Sequence, residues 1–109
     1  MEVAYKTETL KKQLATPEAM IRAFSLKAPV VFRRIEEIKD ADNLSYLKRI
    51  IVMKCRPFSN NPTGTWVVSI KSGFSMIFTL DHEPIPLMAD GSVDTEFITR
   101  ICIIGFINY

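Results

Sequence analysis

Little in this chain points to a metal, a covalent staple or a membrane. Its 109 residues include only two cysteines, one histidine, one tryptophan and four glycines. Cys55 and Cys102 form no CxxC pair and have apolar or strand-like neighbours. They read as reduced, buried thiols rather than as a disulfide or a metal site. His82 stands alone in DHEP, a turn sequence with no second histidine or nearby cysteine. A zinc site needs three or four such ligands, so no metal and no cofactor are expected, and a lone turn histidine reads as a solvated side chain. No apolar run approaches the roughly 18 residues of a membrane span. The N-terminal MEVAYKTETLKKQL is polar and lacks a signal-peptide core, which makes the cytoplasm the expected address. The net charge is only +2 and the pI about 8.6. That permits contact with nucleic acid but lacks the dense basic patch and pI above about 9 of a dedicated binder.

Hydrophobic residues make up 48% of the chain and charged residues 24%, the composition of one globular domain spanning residues 1–109. EVAY (2–5) suits a short first strand. Leu10 and Leu14, four apart, suit a short helix. Thr16-Pro17-Glu18 is a helix start, with a Thr N-cap, Pro at the first helical position and an acid in the first turn; that helix carries Met20, Ile21 and Phe24. Pro29 then forces a new helix or a kink. In PVVFRRIEEIKDAD, Val31, Ile35 and Ile38 share one stripe with Phe32 beside it, and Arg33, Arg34, Glu36, Glu37 and Lys39 form a solvated face. Residues 40–47 read as a connection from which Leu44 and Leu47 tuck under the core.

From Ile50 the period becomes that of strands, expected over 51–56, 65–71, 74–80 and 97–107. SNNPTG is a loop between the first two, and DHEPIPLMADGSVDT a long irregular link before the last. Helices followed by strands imply an α+β layer, with N-terminal helices on one face of an antiparallel sheet. In the hairpin TWVVSIKSGFSMIFTL, a three-residue turn Lys71-Ser72-Gly73 with Gly left-handed sets Ile70 opposite Phe74, Val68 opposite Met76 and Trp66 opposite Phe78. The opposite side then carries Val67, Ser69, Ser75, Ile77 and Thr79. A one-residue slip would mix the faces. Ser75 is thus expected away from the helices, on a face that is open or covered by something other than those helices, and Trp66 in the core.

CRPF, the loop, GTWVVSIKSGFSMIF, EPIP and the closing ICIIGFINY resemble the plasmid-maintenance killer proteins, the HigB-type toxins of the RelE/ParE superfamily. Their pattern is R-x-H, a loop, G-x-W-x-V, a three-residue turn, an aromatic-R-L-I-F strand and a last strand ending N/D-Y-H. The resemblance spans nearly the whole chain and is most specific in the W…IF hairpin. It implies a curved antiparallel sheet with helices on one face. It also implies a type II toxin that cuts mRNA on the ribosome without a metal and is held by a helix-turn-helix antitoxin. The ParE members instead target gyrase.

Cleavage by 2′-OH attack needs one group to take a proton, one to give it, and cations to meet charge developing at the phosphate; an arginine fork suits two phosphate oxygens. The resemblance places this site on the helix-free face, at Arg56, Ser75 and Tyr109, with Lys48, Lys54, Lys71 and Asn108 (and Arg49 beside them) as RNA contacts. Phe58 stands where the pattern has histidine, Ser75 where it has arginine, and the final histidine is missing. A serine offers one donor and no charge. A natural departure, an introduced Arg→Ser change and a locally shifted alignment all accommodate it. The alternative reading is a non-catalytic protein-binding module of the same fold, using an open apolar face of Val67, Ile77 and Ile104 or Phe106.

Overall fold

The computed structural model describes residues 1–58 and 61–108, with backbone alone at 61–63. In chain order the elements are strand β1 (Glu2–Tyr5), helices α1 (Glu8–Gln13), α2 (Pro17–Phe24), α3 (Ala28–Asp40) and α4 (Leu44–Lys48), and strands β2 (Arg56–Phe58), β3 (Asn61–Lys71), β4 (Phe74–Leu80) and β5 (Arg100–Asn108). The fold is α+β: N-terminal helices pack against a five-stranded, mostly antiparallel sheet ordered β1-β5-β4-β3-β2.

Helices α1 and α2 have 6 and 8 residues, too short to persist alone in water. Side-chain caps begin them: Thr7 Oγ1 accepts from the Leu10 amide and Thr16 Oγ1 from the Ala19 amide, each at 3.1 Å. Each such cap contributes about 1 kcal/mol. Packing supplies the rest. Met20 from α2, Val31, Ile35 and Ile38 from α3, and Leu44 and Leu47 from α4 meet Val68, Ile70, Met76, Phe78, Ile101 and Ile103 of the sheet in one core.

Several expectations are corrected. Residues 40–47 are not a plain connection, because Asn43 caps α4 by accepting from the Tyr46 amide at 3.0 Å. The strand expected over 51–56 starts only at Arg56. Ile51–Met53 form a 3-10 turn, Ile51 and Val52 are exposed, and Lys54 is left-handed at φ 47°, which an extended strand does not accommodate. The strand expected from Phe97 starts at Arg100, after a 3-10 turn at Thr95–Phe97. The sheet is not wholly antiparallel, since β1 runs parallel to β5; the intervening helices provide the crossover that a parallel pairing needs.

Arg34 is not on a solvated face. It is 7% exposed, its Nε donates to the Ser69 carbonyl at 3.0 Å, and its Nη1 donates to Glu37 Oε1 at 3.0 Å. Nor is His82 a solvated turn residue: its Nε2 accepts from the Thr99 and Arg100 amides at 3.0 and 3.3 Å and ties the long loop to the start of β5.

The hairpin keeps most of its expected register. Trp66 faces Phe78, Val68 faces Met76, and Gly73 has φ 77°. The tip differs: Lys71 faces Phe74, and Ile70 is the extra residue of a bulge next to Ser69. Arg34 bonds the Ser69 carbonyl beside that bulge. Further irregularities lie between Pro57 and Phe58 and between Ile77 and Phe78. All three antiparallel pairings therefore carry the feature that bends a sheet.

Candidate functional site

Side chains alternate across a strand, so register alone assigns the helix-free face. Its middle row is Arg56, Val67, Ile77 and Gly105, one residue from each of β2, β3, β4 and β5. At about 4.8 Å per strand, that row is about 14 Å long. One neighbouring row holds Ser69, Ser75 and Ile107, and the other Thr65, Thr79 and Cys102. Two hydroxyl pairs, Ser69–Ser75 and Thr65–Thr79, thus flank an apolar middle with a guanidinium at one end. At the other end, a Cβ built on Gly105 would meet nothing within 4 Å, so the space above the middle of the sheet is open there.

Arg56 is exposed on the edge strand. Its Nη1 donates to the Lys54 carbonyl at 2.6 Å, and the left-handed turn at Lys54 belongs to the backbone that carries that carbonyl. Cys55, between them, has its thiol pushed up to about 12 by burial, against the opposing pull of Lys48 and Arg56. It stays a protonated, inert thiol at neutral pH. Cys102 is also raised, first by burial and then by Asp81, with Lys6 opposing.

Ser75 decides between the two expectations for its face. It lies on the expected face, but that face is not open above it: the residue is 0% exposed. Val67 and Ile77 are also buried, at 1% and 9%, yet neither belongs to the core built with the helices. In this conformation Ser75 reaches no molecule in solvent, and the face is recessed rather than a free apolar surface.

The basic residues fall into separate places. Lys48 lies on the helix side, its Nζ 6.0 Å from the centre of the Trp66 ring. Lys54 is exposed next to Arg56. Lys71 and Asn108 sit at the other end of the sheet, both exposed and paired in register through Phe74. Phe74 belongs to the helix-facing core, so Asn108 shares its side rather than that of Ser75. Val67, the partner of Arg56, is four residues from Lys71 on β3, about 13 Å along the strand. Tyr109 lies outside the described residues. The structure therefore brings Arg56 and Lys54 together, sets Ser75 beneath the same face, and leaves Lys48, Lys71 and Asn108 apart from them.

Among the described residues no group of three or more His, Cys, Asp or Glu side chains stands close enough to hold a metal ion, and no helix is long and apolar enough to cross a membrane. Sequence reading missed Arg34 and His82. The signal for Arg34 was its place three positions after Val31 and four before Ile38, within the buried stripe of α3. His82 carried no local signal, because its partners are 17 and 18 residues away. Comparison with protein-family models, with curated proteins and with solved structures finds no match.

Proposed function

We propose that this chain is the toxin component of a type II toxin–antitoxin pair, a cytoplasmic inhibitor of translation related to the ribosome-dependent mRNA endoribonucleases. The observation that carries the reading is the helix-free sheet face, with Arg56 displayed at its edge and open space over Gly105. The motif resemblance of the hairpin and C-terminal strand accompanies it. In this reading an extended RNA strand crosses the face. The Arg56 fork meets the phosphate where charge develops, Lys54 contacts the flanking backbone, and the helix-turn-helix antitoxin blocks access until it is removed.

A second reading has its own support. Ser75 is fully buried, and the only histidine is engaged by two backbone amides away from this face. Among the described residues the face therefore presents a cation and hydroxyls but no imidazole to exchange a proton. This favours a non-catalytic module of the same fold whose target is a protein.

Induced expression separates the two readings. The chain and its Arg56→Ala variant are compared by growth and by mapping mRNA ends. Growth arrest with new mRNA ends, both reduced at least ten-fold by Arg56→Ala, is the expected result for a nuclease. Arrest without new ends selects the protein-binding module. Folded protein that neither arrests growth nor creates ends overturns the toxin reading.

A further inference from the structure

A second concavity lies on the other side of the sheet, beyond the edge strand. It is a cleft of about 540 Å³ lined by Lys48, Pro57, Trp66, Met88, Asp90 and Ser92, with Gly91, Val93 and Thr95 completing the wall. That volume falls within the ~300–1,000 Å³ of small-molecule sites. One wall is the Leu87–Val93 segment of the long loop, and this wall is ordered. Leu87 and Val93 form a β-bridge, the Met88 amide donates to the Ser92 carbonyl at 2.7 Å, the Gly91 amide donates to the Met88 carbonyl at 3.0 Å, and Gly91 takes φ 89°. Long loops in small domains are most often functional when ordered in this way.

The polar groups of the cleft are few and of opposite sign. The Ser92 hydroxyl and amide donate to one oxygen of Asp90, at 2.6 and 2.9 Å. These bonds hold the Asp90 carboxyl below its usual range, so it remains an anion at neutral pH. Lys48 stands over Trp66. Among the described residues neither charge forms an ion pair, since the salt bridge there is Arg34–Glu37. The apolar lining is Trp66, Pro57, Met88 and Val93. A cation, an acceptor held by Ser92 and an apolar lining in one cleft suit a ligand with an anionic group, a planar body and an amino donor.

We propose that this cleft binds a nucleotide. The phosphate lies on Lys48, the base lies along Pro57, Met88 and the edge of Trp66, and an exocyclic amino group donates to Asp90. Carboxylates read the cytosine amino group in this way elsewhere, and a lysine ammonium is a suitable point charge for phosphate. The ligand is either a free mononucleotide or one nucleotide of a single strand. The inference does not rest on cleavage, and its test requires neither ribosome nor activity.

Trp66 is the chain's one tryptophan, so its fluorescence, corrected for nucleotide absorbance, reports this cleft directly. Cytidine 5′-monophosphate is expected to change it saturably, with a Kd below about 1 mM, and to shift the amide resonances of Gly91 and Ser92. Lys48→Ala is expected to weaken binding at least ten-fold, and Lys48→Arg to stay near the original. Uridine 5′-monophosphate, which has no exocyclic amino group, is expected to bind several-fold more weakly, a difference that disappears in Asp90→Ala. A six-residue oligocytidylate that binds more tightly than the monophosphate identifies a strand as the ligand, and equal affinity identifies the free nucleotide. If neither probe gives a saturable change, or if folded Lys48→Ala binds as the unsubstituted chain does, the proposal is wrong.

Discussion

Phe78 and Ile77 are neighbours on β4 that point to opposite sides of the sheet. Phe78 is 0% exposed, in a core where α2, α3, α4 and the strands β3, β4 and β5 contribute side chains. Ile77 is 9% exposed but stands outside that core, opposite Gly105, where a side chain would have open space. Burial therefore has two meanings in this molecule. On the helix side it means close packing, where every removed methylene leaves a hole. On the other side it means a recessed face that stands outside that core, with open space beside it at Gly105.

Truncation on each side separates the two kinds of burial by the largest margin. Phe78→Ala is expected to cost about 3–5 kcal/mol, enough to unfold a domain of marginal stability. Ile77→Ala is expected near the lower end of the aliphatic range, about 2 kcal/mol, because the space over Gly105 lets the site relax. Urea denaturation of the two variants measures the gap, and equal losses would show that the recessed face is packed as tightly as the core.

A smaller effect is expected at Ser75. Ser75→Ala removes one hydroxyl from the recessed face and is expected to cost about 1 kcal/mol. Ser75→Arg must either bury a guanidinium or open the face. A loss of more than about 2 kcal/mol is expected, read as a lower thermal midpoint. If Ser75→Arg melts like the unsubstituted chain, the recess is loose enough for the new side chain to reach solvent.

The two cysteines offer the mildest test. A thiol ionises as pH rises, and both folded thiols resist it through burial. For Cys55, burial holds the folded value at about 12, above the 9.0 of a free thiol. The unfolded chain therefore holds fewer protons between those values, and stability falls with rising pH in that window, with no contribution below pH 9. Cys102, on the less enclosed side, is expected to react with a disulfide reagent at pH 8 several-fold faster than Cys55. Comparable rates would mean that the segment around Cys55 opens readily.

The parts of this fold legible in the sequence are those specified locally. Thr16-Pro17 started a helix, Pro29 marked the next, and the alternation around Gly73 placed Trp66 and Phe78 on one side, because period and turn chemistry act over a few residues. The misreadings came from long-range forces. Ile51 and Val52 are apolar and invited a strand, but the left-handed turn at Lys54 keeps them out of it. Arg34 looked like part of a charged face until a sheet carbonyl beside a bulge supplied its partner. For the candidate site, alternation gave the side on which Ser75 lies, but not its depth. Depth depends on what the assembled fold brings over the residue, and no single segment encodes that. Nor could sequence spacing show that the sheet would separate Lys48 from Arg56.

The position of β5 between β1 and β4 has a consequence in time. Strand β1 is made well before its sheet partner β5, with all the helices and the other three strands between them. Until β5 arrives, β1 and β4 both present bare edges, and the helices have only a partial sheet to rest on. A fold whose decisive contacts are so distant in sequence forms slowly. During synthesis this domain stays unfinished, and open to capture by another strand, until β5 is made.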